Sequence, residues 1–297
     1  MRVVHLTDRS ILSVSGADAR DFLQNLVTTD LAALGEAEAK PGALLTPQGK
    51  ILFDFLVSSA GANSFRLECR ADIIDDFVRR LMIYRLRAKV EIVKVDQPVI
   101  AIRFGSDPTF SETDSSTSRD DSTAGLWLRD TRFRLPSVAE RSYDAAAATA
   151  AVEEWTAFRI ANGVAESGDD YSLADAFPHD VLLDQTGGVG LRKGCYVGQE
   201  VVTRMHHRGT ARRRVLVVSA EADLPPAGAD ISADGRSVGT LGTTLARTGL
   251  AIARIDKVKA AMDAGVPLVA AGVTLGLAIP PGVGFAFPEA AAIADDA

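Results

Sequence analysis

Eight consecutive residues, Lys193-Gly194-Cys195-Tyr196-Val197-Gly198-Gln199-Glu200, place a cation, a thiol, two glycines and a polar pair within reach of one point. Glycines beside a cysteine predict a tight turn that gathers backbone amides around the sulfur, and Gln199 and Glu200 open a short helical run through Met205. A thiol ahead of a helix N-terminus, next to Arg192 and Lys193, is easier to ionise, because the dipole and both cations favour the thiolate. Cys195 is then a reactive or positioning thiol; the alternative is a small buried hydrophobe filling a turn. Lys193 either steers a carboxylate or polar group or is a solvated lysine beside a turn. Tyr196 reads as a pocket wall able to stack on a flat ring. Gln199 and Glu200 either orient the loop and meet a ligand or serve as ordinary first-turn residues.

The elements that must hold this loop are legible from hydrophobic spacing. Ser15, Asp18 and the apolar positions Phe22, Leu23, Leu26 and Val27 predict an amphipathic helix capped by Ser15. Pro47 and Gly49 mark a turn, after which Ile51, Phe53, Phe55 and Val57 alternate as a half-buried strand, giving a hairpin. Asp54 lies on the other face of that strand, as a chemical group or a plain edge-strand polar residue. Ile73, Ile74, Phe77, Leu81 and Tyr84 predict a helix over 71–86, followed by the strand KVEIVKV. Residues 105–125 are small, polar and acidic and read as an exposed loop. Strand-like LWLRD comes next, then an alanine-rich run ending in VEEWTAFRIANG that reads as helix, stopped at Gly163. From about residue 212 short β-like runs separated by Gly, Pro and Asp predict a small barrel.

At 297 residues, with 47% hydrophobic and 24% charged content, the chain is that of a globular protein of two or three domains. Cys69 and Cys195 are its two cysteines, with no Cys-x-x-Cys, so neither a disulfide framework nor a closed thiolate metal site is indicated, and Cys69 is expected in the core. His206 and His207 are adjacent and diverge on any regular element, so no metal site is assigned. Residues 192–214 carry seven Lys or Arg against one acid, Glu200, on a chain of net charge −7. A basic strip on an acidic protein either meets an anionic partner there or is a solvated face with no ligand, and the acidic remainder disfavours direct nucleic-acid binding. The uncharged stretch 266–288 is interrupted by Pro280, Pro281 and glycines, which suits buried strands and turns and not a membrane helix. Asp8 and Arg9 stand where a secretory leader needs its apolar core, and the expectation is a cytoplasmic protein.

The octapeptide resembles the signature of the YgfZ family, Lys-Gly-Cys-Tyr-any-Gly-Gln-Glu, at every fixed position, and HHRGTARRR resembles the family's continuation beyond that signature. The family comprises folate-binding proteins of iron–sulfur cluster assembly, including a mitochondrial branch, related to the glycine-cleavage T-protein. The resemblance implies an α+β fold: a T-protein-like multi-domain ring of mixed α/β modules with a C-terminal small β-barrel. The expected division is residues 1–45 and 140–211 as a folate-binding α+β module, 46–139 as a ferredoxin-like module, and 212–297 as the barrel. It further implies a cofactor, tetrahydrofolate or a folate derivative, in a pocket to which Asn25, Arg159, Tyr196, Gly198, Gln199, Glu200 and Arg204 contribute. Cys195 and Lys193 are the candidate catalytic groups, with Asp54 a further one. Partners would be the iron–sulfur assembly machinery or client iron–sulfur enzymes, with no membrane.

The T-protein itself uses an aspartate pair on the strand after the turn and a glutamate after an Arg-Leu pair. Here those places read Phe53-Asp54 and Arg159-Ile160-Ala161, so aminomethyl transfer is in doubt. A folate-dependent aminomethyl or methyl transferase and a non-catalytic folate-sensing adaptor stand as alternatives to cluster assembly or repair.

Overall fold

The computed structural model describes residues 1–106, 126–144, 146–209 and 211–289. The expected loop over 105–125 lies outside the described residues, except for Gly105 and Ser106 at a strand end. The chain divides into two compact units, Met1–Trp155 with Thr186–Val201, and Thr156–Gln185 with Val202–Ala297.

In the first unit nine strands form one mixed sheet: β1 (Arg2–His5), β2 (Arg9–Ser15), β3 (Glu38–Leu45), β4 (Ile51–Gly61), β5 (Ser64–Arg70), β6 (Glu91–Lys94), β7 (Ala101–Ser106), β8 (Leu128–Asp130) and β9 (Ser137–Ser142). Their spatial order is β1-β7-β9-β8-β3-β4-β5-β2-β6. Pairing is antiparallel throughout except between β3 and β8. The alternation read in β4 holds from Ile51 to Phe55, but Leu56 and Ser58 are buried along with Val57, so the strand is covered on both faces there. Phe53 and Phe55 stack on Phe77 of helix α2 (Ile74–Arg85) at ring-centroid distances of 4.9 and 5.5 Å. Ile74, Phe77 and Leu81 are the buried stripe of that helix. Cys69 is sealed in the same core, and burial pushes its thiol up to about 12, with Arg9 opposing.

The β3–β4 connection is the predicted tight hairpin. Gly49 N–H donates to Thr46 O at 2.9 Å and Thr46 N–H to Lys50 O at 2.8 Å. Gly49 has φ +81°, a conformation glycine adopts without steric cost.

Two local expectations need correction. Helix α1 (Ala19–Gln24) begins after Asp18 and not at a Ser15 cap, since Ser15 is the last residue of β2, paired to both Ser64 and Glu91. A residue held extended in a ladder on both sides cannot start a helix, and the Asp18 carboxylate instead accepts the Lys89 N–H at 2.7 Å. The alanine-rich run is not helical over its described residues 146–151 either, for α3 (Val152–Ala161) starts only at Val152. The N–H groups of Thr149 and Ala150 are taken by Val3 O at 2.8 and 3.0 Å, which keeps that stretch out of a helix.

In the second unit β10 (Arg213–Ser219), β11 (Asp230–Ala233), β12 (Arg236–Leu245), β13 (Thr248–Arg254), β14 (Leu268–Ala270) and β15 (Val273–Ala278) close into a barrel in the order β10-β13-β12-β11-β14-β15. Leu216, Ile231, Leu241, Leu268, Leu275 and Leu277 fill its core, covered by helix α5 (Ile255–Asp263). The uncharged stretch 266–288 therefore supplies two barrel strands. Among the described residues no helix is long and apolar enough to cross a membrane.

Candidate functional site

The motif loop is held by two side chains that point inward, Lys193 and Tyr196. Lys193 is buried, and its Nζ donates to Val27 O at 2.6 Å and Thr29 O at 2.8 Å. Its ammonium lies 5.2 Å from the centroid of the Tyr196 ring, a cation–π contact within the loop. Burial pulls the Lys193 ammonium down to about 8, with Asp30 opposing. Tyr196 is itself buried, which pushes its phenol up to about 12.

Between these two anchors Gly194 and Cys195 are exposed. A β-carbon on Gly194 would meet nothing within 4 Å. The cysteine is therefore an open thiol presented by a fixed loop, not turn filling. Helix α4 (Gln199–Arg208) starts four residues beyond it, so the sulfur stands outside the first turn, where the dipole acts most strongly.

The loop is stapled to the sheet on both sides. Upstream, Gly190 N–H donates to Thr28 O at 2.8 Å, and the Thr28 hydroxyl donates to Gly188 O at 2.6 Å while accepting Ala43 N–H at 2.9 Å. Downstream, Gly198 has φ +78° and packs on the β3–β4 turn, where a β-carbon would lie 2.5 Å from Thr46 O and 3.1 Å from the Gly49 Cα. A β-carbon on Gly49 would in turn meet the Val201 side chain at 2.8 Å. The two glycines of the motif thus do different work: Gly194 leaves the thiol uncovered, and Gly198 permits backbone-to-backbone contact.

The remaining candidates are spread out. Asn25 is the exposed C-cap of α1. Gln199 is half-buried and Glu200 exposed in the first turn of α4, and Arg204 is exposed further along it. Asp54 is half-buried on β4. Its neighbour Phe53, standing where the T-protein pattern has a second carboxylate, is committed to the core against Phe77. Arg159 lies in the second unit, buried, donating to Val164 O at 2.8 Å, to the Asp170 carboxylate at 2.5 Å and to Thr243 Oγ1 at 2.7 Å. It ties the segment after α3 to the later part of barrel strand β12.

Sequence reading missed a buried charge network in the first unit. The Glu68 carboxylate accepts from Arg9 Nε at 3.2 Å, from Arg141 at 2.6 Å and from the Tyr143 hydroxyl at 3.3 Å. Arg141 also reaches Asp130, which Arg132 chelates at 2.7–3.2 Å. Burial alone would raise the Asp130 carboxyl, but the two guanidiniums hold it below its ordinary range. It also missed His179 in the second unit, buried with neither ring nitrogen bonded among the described residues, 6.4 Å from the His206 ring. Burial lowers its basicity, with Asp184 opposing.

Comparison with known proteins bears on what this arrangement serves. Residues 212–285 match the family model of the CAF17 C-terminal β-barrel domain. The chain is 30% identical over 247 residues to the mitochondrial iron–sulfur cluster assembly factor IBA57 of Mus musculus, covering 75% of this chain and 67% of the relative. It is 30% identical over 237 residues to the mitochondrial IBA57 homologue of Mycosarcoma maydis, covering 73% of this chain but only 57% of that relative's length. In fold it matches aminomethyltransferase T of the glycine cleavage system from Bartonella henselae, with a TM-score of 0.68, 15% identity, and coverage of 94% and 85% of the two chains. At that identity the likeness is one of fold alone, and it bears out the T-protein-like architecture with its closed barrel. The expectation of a cytoplasmic location is corrected by these relatives, which are described as mitochondrial. A missing apolar leader core speaks only to secretion, not to entry into an organelle. With two thirds of the mouse factor covered at 30% identity, the chain belongs to the family of IBA57 iron–sulfur cluster assembly factors.

Proposed function

We propose that this protein assists the assembly or repair of iron–sulfur clusters in the manner of the YgfZ branch, with Cys195 as the residue that meets the cluster or its precursor. The observation that carries the reading is the placement of that thiol, exposed on a loop fixed by the inward Lys193 and Tyr196. Cys69 is sealed in the core, so the chain offers one accessible thiol. A cluster bound at its edge needs further cysteine ligands, and these come from an assembly protein or a client enzyme. The buried anchors limit the loop's freedom, which keeps the sulfur in a fixed place for such an encounter.

A reduced folate belongs to the same proposal, supported by the aminomethyltransferase fold. The available residues suit its anionic tail better than its pterin. Arg204 and Arg208, i and i+4 on α4, are exposed and without an acidic partner among the described residues, which fits a chain of glutamates. For the pterin end, the Gln199 side chain on the same helix has no hydrogen bond among the described residues, whereas Lys193, Tyr196 and Arg159 are engaged within the protein.

The test is restoration of an iron–sulfur enzyme's activity in cells lacking the endogenous factor. Cys195→Ala and Cys195→Ser are expected to abolish restoration while the denaturation midpoint stays at the wild-type value. Full restoration by Cys195→Ala would reduce the thiol to a bystander. Calorimetry with mono- and triglutamyl tetrahydrofolate tests the second part: tighter binding of the longer tail is expected, weakened in Arg204→Glu/Arg208→Glu, and absence of heat with either ligand removes folate.

A further inference from the structure

Helix α2 carries a second, outward stripe that the core does not use. Met82 and Ile83 are 43% and 64% exposed, and Leu86, just past the helix, is 86% exposed. The positions i, i+1 and i+4 lie on one side of the helix, away from the buried Ile74, Phe77 and Leu81. Leu86 is also strained. It has φ +45° and ψ −109°, and Ala88 N–H donates to Arg85 O at 2.8 Å. This is the i+1 place of a type II′ turn, a position dominated by glycine. A leucine kept there bears both steric strain and exposure of its whole side chain to water, and neither serves the fold.

Cations ring this apolar knob. Arg80, Arg85, Arg87 and Lys89 have no carboxylate partner among the described residues, whereas Arg79 and Lys94 at the margin are paired to Asp76 and Asp75. Four unpaired positive groups around three aliphatic side chains specify a cover that is apolar at its centre and acidic at its rim. A bilayer surface fits less well, because a continuous anionic plane would also cover Asp75 and Asp76 on the same exposed face, whereas a helix can set its carboxylates opposite the four cations alone.

We infer that Met82, Ile83 and Leu86, with Arg80, Arg85, Arg87 and Lys89, form a docking surface for an acidic amphipathic helix of a partner protein. This surface is independent of the Cys195 loop and does not rest on the cluster reading. Leu86 inserts between the partner's apolar side chains, and the four cations meet its flanking carboxylates.

The test uses the full chain and a fluorescent helical peptide with a leucine stripe flanked by glutamates. The same peptide with lysine for glutamate, and vesicles containing phosphatidylserine, are the other arms. Saturable binding of the glutamate peptide is expected, with hydrogen-exchange protection confined to residues 79–94. Arg85→Glu/Arg87→Glu weakens it by about tenfold or more, and raising the salt weakens the wild type in the same direction. Leu86→Gly weakens it by about fivefold or more. The same change raises the thermal midpoint, because glycine adopts the turn without strain, so a folding defect cannot explain the loss. Absence of saturable binding, equal binding of the lysine peptide, binding to vesicles alone, or unchanged affinity in Leu86→Gly would each overturn the proposal.

Discussion

Gly198 and Gly49 meet through their backbones: a β-carbon on Gly198 would stand 3.1 Å from the Gly49 Cα and 2.5 Å from Thr46 O. The loop that presents Cys195 therefore rests directly on the β3–β4 turn. Gly198→Ala adds steric overlap to an unfavourable φ of +78°, and the expected loss of stability is about 3 kcal/mol. Urea unfolding measures it, and a loss below about 0.5 kcal/mol would mean the contact is not tight.

Lys193 is expected to behave as an anchor. Lys193→Met leaves Val27 O and Thr29 O without their donor and costs about 1–3 kcal/mol. In the wild type, NMR of the isotopically methylated side chain should show it titrating near pH 8. A folded-state value below the ordinary 10.5 means the unfolded chain binds that proton more tightly, so this group's penalty is fully present below 8 and is relieved as pH rises towards 10.5. Titration at the ordinary lysine value would show the ammonium to be solvated.

Asp180 gives the opposite pH signature. Burial pushes its carboxyl up to about 6 from 3.8, against the Phe177 N–H bond and Arg213. The native state then holds the proton more tightly than the unfolded chain, and stability falls as pH rises from about 4 to about 6. Asp180→Asn keeps an acceptor for Phe177 N–H and removes the charge. It is expected to stabilise the protein at pH 7, by at most about 3 kcal/mol, and to flatten the slope between pH 4 and 6. Thermal melts across that range decide the matter, and an unchanged slope would place the titration elsewhere.

The two cysteines should separate cleanly in reactivity. Iodoacetamide is expected to modify Cys195 in the native protein and Cys69 only after unfolding, since one is exposed and the other buried with its thiol pushed up to about 12. Mass mapping after brief labelling checks this. Equal labelling of both would contradict the sealed core.

Breaking Arg159 tests whether it is structural. Arg159→Met strands the buried Asp170 carboxylate, which also accepts Glu166 N–H at 2.8 Å and Thr243 N–H at 2.7 Å. The expected cost is about 3–5 kcal/mol. A variant of wild-type stability with impaired ligand binding would return Arg159 to the ligand site.

The parts legible in the sequence were those whose signal is local. Ile51, Phe53, Phe55 and Val57 announced β4 by period two, Phe77 and Leu81 announced α2, and Gly49 and Gly163 marked a turn and a helix end. The motif announced Cys195 because residue types that rarely occur together stood side by side. What escaped were pairings made by topology. Lys193 meets Thr29 across 164 residues and Arg141 meets Glu68 across 73, and no spacing rule reports such distances. The Ser15 cap failed for the same reason, since membership of a ladder with Ser64 and Glu91 overrode a local capping preference.

With no side chain interposed between Gly49 and Gly198, the hairpin tip and the cysteine loop share one conformational equilibrium. Capturing the sulfur in a complex should slow amide exchange at Thr46 to Lys50 as well, and loosening that tip should lower the loop's apparent affinity for whatever it captures. A turn carrying none of the reactive chemistry thereby becomes a lever on it.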